Sequence, residues 1–138
     1  MTLVRPLPAL EPRTAAFWQA CRVGRLEFTR CVPCQYFIHP SRPICPRCRR
    51  RTLDVAAVSG HARLYSYTIN HQPWYPGQDV PYVIGLVELI EQPALRLMTN
   101  IVNCPHDCLQ IGMPLRVVFE NVSDEIALPL FEPDVSLT

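Results

Sequence analysis

The chain has 138 residues, enough for one domain or two very small ones. Its 13 basic residues are all arginine, and against 12 acids they leave a formal net charge of +1. No apolar run approaches the ~20 residues of a membrane span.

The charge is unevenly placed. Residues 1–63 hold eleven arginines against three acids (Glu11, Glu27, Asp54), a balance of +8. Residues 64–138 hold two arginines (Arg96, Arg116) against nine acids, a balance of −7. A chain split this way suggests two modules with different partners, or one basic surface for an anionic ligand.

Residues 1–13 read as an extended arm, because Pro6, Pro8 and Pro12 block regular hydrogen bonding. The arm has no charged-then-apolar secretory pattern, so the expected location is cytoplasmic. Thiols stay reduced there, and seven cysteines then point to metal binding rather than disulfides. A helix is predicted over 14–24, with Thr14 as N-cap and Gly24 as its stop. Phe17, Trp18 and Cys21 fall on one side of it. So short a helix is marginal alone and must dock, either on its own chain or on a partner.

Residues 25–53 read as a zinc ribbon. Residues 25–30 alternate polar and apolar, as a strand does, and lead into Cys31-Val32-Pro33-Cys34. Tyr36-Phe37-Ile38 leaves as a second short strand, and the chain turns to Cys45-Pro46-Arg47-Cys48. Two Cys-x-x-Cys knuckles supply four soft ligands for a tetrahedral ion. Pro33 and Pro46 pre-set each turn. About thirty residues cannot bury enough apolar surface to fold unaided, so the metal supplies folding free energy. Zinc is the expected ion, and thiolates leave iron open. Four thiolates close the coordination shell, whereas catalytic zinc keeps an open position, so the site reads as structural.

Residues 54–138 read as strands at 62–69, 82–90, 94–102, 115–120 and 126–131. Five strands in about eighty residues fit a small closed barrel of the OB type, in which closure removes exposed edges. Gly85 marks a candidate bulge or barrel corner. The proline-rich stretch Asn70–Pro81 is a loop long enough to suspect function. The expected fold is therefore mostly β: an N-terminal helix, a rubredoxin-like ribbon and a C-terminal five-stranded OB barrel.

Several ordered segments carry a family resemblance. They are Phe17-Trp18, Gly24-Arg25-Leu26, Arg30-Cys31-Val32-Pro33-Cys34, Cys45-Pro46-Arg47-Cys48, Val58-Ser59-Gly60, Leu64-Tyr65-Ser66-Tyr67-Thr68, Pro81-Tyr82-Val83-Ile84, Ile111-Gly112-Met113-Pro114, Val118-Phe119-Glu120 and Leu128-Pro129-Leu130-Phe131-Glu132-Pro133. Over roughly residues 14–133 the chain resembles the zinc-ribbon and OB-fold family catalogued as domain of unknown function number thirty-five. The resemblance implies an acyl-CoA-associated accessory subunit. Its partner would be a thiolase-like enzyme: a thiolase, a steroid side-chain aldolase or a hydroxymethylglutaryl-CoA-synthase-like protein. That partner would supply the chemistry in a hetero-oligomer. In one respect the chain departs from the pattern, since Gln35 and Arg49 stand where such knuckles often carry glycine for a positive φ.

Metal ligands are Cys31, Cys34, Cys45 and Cys48. Arg47, Arg49, Arg50 and Arg51 are candidates for coenzyme A phosphates or an acidic partner, since guanidinium groups grip phosphate bidentately. Phe17, Trp18, His71, Trp74 and Tyr75 are interface candidates. No catalytic set is evident: Cys21 reads as packing, and Cys104, His106 and Cys108 lack a fourth ligand. The alternative function is a single-stranded nucleic-acid module, with Tyr65 and Tyr67 on one strand face stacking bases. The acidic barrel half opposes it. An independent thioesterase or hydratase is a third reading.

Overall fold

The computed structural model describes residues 6–135. The first five residues of the expected arm, and the last three of the chain, lie outside them. Residues 6–11 form no regular structure, in keeping with their prolines. α1 spans Ala15–Arg22. Thr14 stands at its N-cap position but makes no side-chain cap. Its hydroxyl instead accepts from the Glu11 N–H at 3.2 Å, closing the turn before the helix. Gly24 ends the helix at φ +81°, with the Arg25 N–H reaching back to the Ala20 carbonyl at 2.9 Å. This left-handed stop is a conformation only glycine adopts without strain.

α1 docks on its own chain. Cys21 and Ala20 are buried, and the helix packs against a ribbon strand and the last two barrel strands. Two sheets follow. The first has order β2-β1-β3, with β1 at Glu27–Cys31, β2 at Phe37–Ile38 and β3 at Leu53–Ala57. β3 is a strand the sequence reading did not place. It pairs antiparallel with all five residues of β1, so the ribbon's sheet runs on to Ala57.

The second sheet is the expected five-stranded closed barrel. It is built from β4 (His61–Asn70), β5 (Tyr82–Leu89), β6 (Arg96–Ile101), β7 (Pro114–Asn121) and β8 (Ala127–Pro133), in order β4-β5-β6-β8-β7. A short 3-10 turn at His106–Cys108 lies in the connector between β6 and β7. Among the described residues no helix is long and apolar enough to cross a membrane.

Two sequence expectations shift in detail. The bulge falls in β4, where Leu64 opposes Val87 and Ser66 opposes Leu86, leaving Tyr65 as the extra residue. Gly85 is a glycine for another reason, because an added Cβ would stand 2.7 Å from Ile101 Cδ1. The bulge also changes the phase of the strand. Tyr65 stays exposed under the Arg96 guanidinium, 3.7 Å from its ring, while Tyr67 packs on the core. The two tyrosines therefore do not share a face.

One core joins all three parts. Leu26, Phe28 and Phe37 of the ribbon and Cys21 of α1 belong to the same buried cluster as Leu64, Val87, Leu115 and Phe131 of the barrel. The β5–β6 turn ties the ribbon down. The Gln92 side chain accepts from the Phe37 N–H at 2.8 Å and donates to the Phe37 carbonyl at 3.0 Å, imitating a strand partner. Beside it, Glu91 accepts from the Ser59 N–H at 2.7 Å.

The metal centre and the surfaces around it

Both knuckles are built alike. The Gln35 N–H donates to the Cys31 carbonyl and the Arg49 N–H to the Cys45 carbonyl, each at 2.8 Å. The Cys31 N–H reaches Tyr36 O and the Cys45 N–H reaches Arg50 O, each at 2.9 Å. This closing turn requires a positive φ after each second cysteine, and Gln35 (61°) and Arg49 (65°) supply it. A side chain in that region costs about 1–2 kcal/mol against glycine.

The knuckles bring four sulfurs together. Cys31 Sγ and Cys48 Sγ are 3.4 Å apart, Cys34 Sγ and Cys45 Sγ 3.7 Å, and all four lie within 4.8 Å of one another. Metal–sulfur bonds of about 2.3 Å in a tetrahedron demand sulfurs about 3.8 Å apart. The residues present therefore fit a four-thiolate metal ion. Cys31 and Cys45 are buried, so the thiols are also part of the ribbon's own small core, with Ile38, Tyr36 and Leu53. Their acidities diverge. The Cys34 backbone N–H pulls the Cys31 thiol down, but burial and the neighbouring thiols push it up to about 12. Burial pushes the Cys45 thiol up, yet the Cys48 and Arg47 N–H groups and the adjacent sulfurs bring it down to about 6. Four thiolates this close repel one another strongly, and a cation is what allows them to coexist.

The other candidate residues sit as follows. Arg47, Arg49, Arg50 and Arg51 are all exposed on or just after the second knuckle, with Arg47 5.7 Å from the Tyr36 ring centre. His71 is exposed. Trp74 is 70% exposed yet held in place: its backbone N–H donates to Gln78 Oε1 at 2.7 Å, and its indole N–H donates to Asn70 Oδ1 at 3.3 Å. Tyr75 is half-buried. Phe17 and Trp18 spend much of their surface inside the chain. Phe17 lies 5.8 Å from the rings of both Phe28 and His39, and Trp18 packs on Ile126, Leu128 and Leu130.

Cys21 is fully buried, and burial raises its thiol to about 12, as befits a packing residue. Among the described residues, Cys104, His106 and Cys108 join no metal-capable cluster. Sequence reasoning missed one polar pair, His61 Nδ1 against the buried Asp134 Oδ2 at 2.9 Å. It links positions 73 residues apart, so no local pattern announces it. The Ser59 hydroxyl accepts from the His61 backbone N–H, at 3.2 Å.

Fold and site together define a rubredoxin-like zinc-ribbon protein whose ribbon rides on an OB barrel. The chain belongs to the ChsH2 family: residues 18–54 match the ChsH2 rubredoxin-like zinc ribbon domain, and residues 55–120 match the ChsH2 C-terminal OB-fold domain. It is 37% identical over 132 residues to a probable enoyl-CoA hydratase alpha subunit of Thermomonospora curvata, covering 96% of this chain and 41% of that protein. A DUF35 domain-containing scaffold protein of Methanothermobacter thermautotrophicus is 37% identical over 102 residues, covering 72% of this chain and 75% of its own. A chain of the solved Ltp2-ChsH2(DUF35) aldolase superposes with a TM-score of 0.84 at 36% identity, covering 92% of this chain and 98% of that one. The chain thus spans about two fifths of the Thermomonospora hydratase subunit and nearly all of the DUF35 chain of the aldolase.

Proposed function

We propose that this protein is a non-catalytic, zinc-binding subunit of an acyl-CoA-processing complex. Its partner is a thiolase-like enzyme, such as a thiolase or a steroid side-chain aldolase, and the subunit helps to assemble the complex and contacts acyl-CoA. One observation carries the reading: the chain matches almost the whole DUF35 chain of the Ltp2-ChsH2(DUF35) aldolase in both sequence and fold. The site chemistry agrees. Four thiolates leave zinc no open position for substrate, so the metal holds the ribbon and another subunit supplies the reaction. The rigidly presented Trp74 suits an interface anchor, with Tyr75 and His71 beside it. Arg47, Arg49, Arg50 and Arg51 offer guanidinium groups to coenzyme A phosphates or to acidic side chains of the partner.

Nucleic-acid binding is the poorer reading. The barrel half is acidic, and Tyr65 and Tyr67 point to opposite faces. The test is co-expression with a thiolase-like protein encoded nearby, followed by size-exclusion chromatography. Co-elution at fixed stoichiometry, with the partner's activity dependent on this chain, is expected. Two well-behaved proteins that elute apart, with unchanged activity, would refute the proposal.

A further inference from the structure

The outer face of the β5–β6 hairpin changes character halfway along. On β5, half-buried and buried residues alternate, so Tyr82, Ile84, Leu86 and Glu88 face away from the core. On β6, Arg96, Met98 and Asn100 do the same. At one end Glu88 opposes Arg96, and the two pair at 3.2 Å, as charges on a wetted face do. Further along, Leu86 opposes Met98 and Ile84 opposes Asn100, with Tyr82 beyond them. The water-facing side of an antiparallel sheet ordinarily carries polar residues. Here most are apolar, and Met98 is 70% exposed.

Beside this face lies a hollow of about 590 Å³, lined by Tyr82, Ile84 and Met98 from the strands and by Tyr75 from the loop between β4 and β5. Hydrogen bonds from Trp74 to Gln78 and Asn70 brace that loop, and the Gln78 N–H donates to the Tyr75 carbonyl at 3.2 Å. Asp79 and Glu120 also line the hollow, and none of the described residues that do so is basic. Among the described residues neither carboxylate has an ion-pair partner. Both acids belong to the half of the chain whose charge balance is −7. Met98 and Trp74, each 70% exposed, are not enclosed by the hollow. A small molecule lying there would leave them in water, whereas a protein surface would cover them. Methionine and aromatic side chains, tryptophan foremost, are what protein interfaces collect.

We propose that the outer face of β5 and β6, together with Trp74 and Tyr75, is the surface by which this chain docks on its enzyme partner, and that the partner brings an apolar patch flanked by arginine or lysine to meet Asp79 and Glu120. The inference rests on the subunit reading above and gives it a face and a sign of charge. Leu86, Ile84, Met98 and Trp74 supply the affinity by leaving water. The two acids supply orientation and speed of association, because complementary charge steers the encounter and excludes acidic surfaces.

The test measures affinity between the full chain and the thiolase-like protein encoded nearby. Met98→Arg puts a cation at the centre of the face, where a basic partner repels it. It should weaken the complex about tenfold or more and leave the melting temperature unchanged, because Met98 is exposed. Met98→Leu should bind like the parent. Asp79→Arg with Glu120→Arg should weaken association about tenfold at low salt, and the gap from the parent should close as salt screens the charges. If the parent binds and both the Met98→Arg and the charge-reversed variants bind equally well, the face is wrong and the subunit reading stands. If Met98→Arg weakens the complex but charge reversal does not, the basic partner is overturned. If the folded parent does not bind the thiolase-like protein at all, the subunit reading fails and the docking face falls with it. Self-association of the isolated chain that Met98→Arg disperses would make the occupant a second copy and overturn the proposal.

Discussion

The ribbon and the barrel solve the same problem with different materials. The barrel closes over branched aliphatics and one aromatic of its own, among them Leu64, Val83, Val87, Leu115 and Phe131. The buried residues of the ribbon's own cluster are Cys31, Ile38 and Cys45, two of which are metal ligands. Its strands are short, and β2 has only two residues. The ribbon is nonetheless no independent unit. The side of its sheet away from the metal gives Leu26, Phe28 and Phe37 to the common core. A small module can thus be held twice, by an ion at its tip and by a larger neighbour's core at its base.

Removing the ion tests the first hold and has the largest expected effect. Structural zinc contributes about 10–16 kcal/mol in isolated fingers. Cys31→Ala should abolish stoichiometric metal, measured by elemental analysis. It should also collapse hydrogen-exchange protection around the knuckles and lose the partner, while β4–β8 stay protected. A variant that kept both metal and complex would break the comparison. Acid should act in the same direction on the native protein, because protons compete with metal for the thiolates.

Phe28→Ala tests the second hold. It should cost about 3–5 kcal/mol and lower the melting of barrel and ribbon together, because Phe28 belongs to the shared core. Loss confined to the ribbon would show that the two cores are separate. Gln92→Ala is smaller, about 1–3 kcal/mol, since it leaves the Phe37 N–H and carbonyl without partners. Faster exchange at Phe37 with an intact barrel is the expected signature.

The smallest effect is one of pH. Burial holds the His39 pKa below its ordinary 6.5, so the unfolded chain binds more protons than the folded one just below that value. The stability from keeping His39 neutral is fully present above about pH 6.5 and falls as pH drops toward the folded-state value. His39→Phe should flatten this part of the pH–melting curve, and an unchanged slope would place the titration elsewhere.

The pairing partners of several segments were legible without the structure. The hairpin of β5 and β6 needs only its turn and alternating pattern, and the four metal ligands are declared by their spacing. The bulge at Tyr65 was not legible, because nothing in Leu64-Tyr65-Ser66 marks which residue goes unpaired. Nor was β3, whose Asp54 and two alanines lack the usual strand pattern and which is held by the partner it finds in β1.

By itself, then, the sequence determined the local elements. These were a helix stopped at Gly24, two knuckles that accept a left-handed residue at Gln35 and Arg49, a four-thiolate centre and five barrel strands. Each follows from neighbours within a few positions, where periodicity, turn chemistry and ligand spacing act directly. Only the tertiary structure decided where the ribbon sits, that α1 docks on its own chain, and that a cavity opens along the β6–β8 seam. Those depend on contacts such as Gln92 with Phe37 and His61 with Asp134, which join positions 55 and 73 residues apart. Such pairs form only once the chain has collapsed, so no local pattern encodes them.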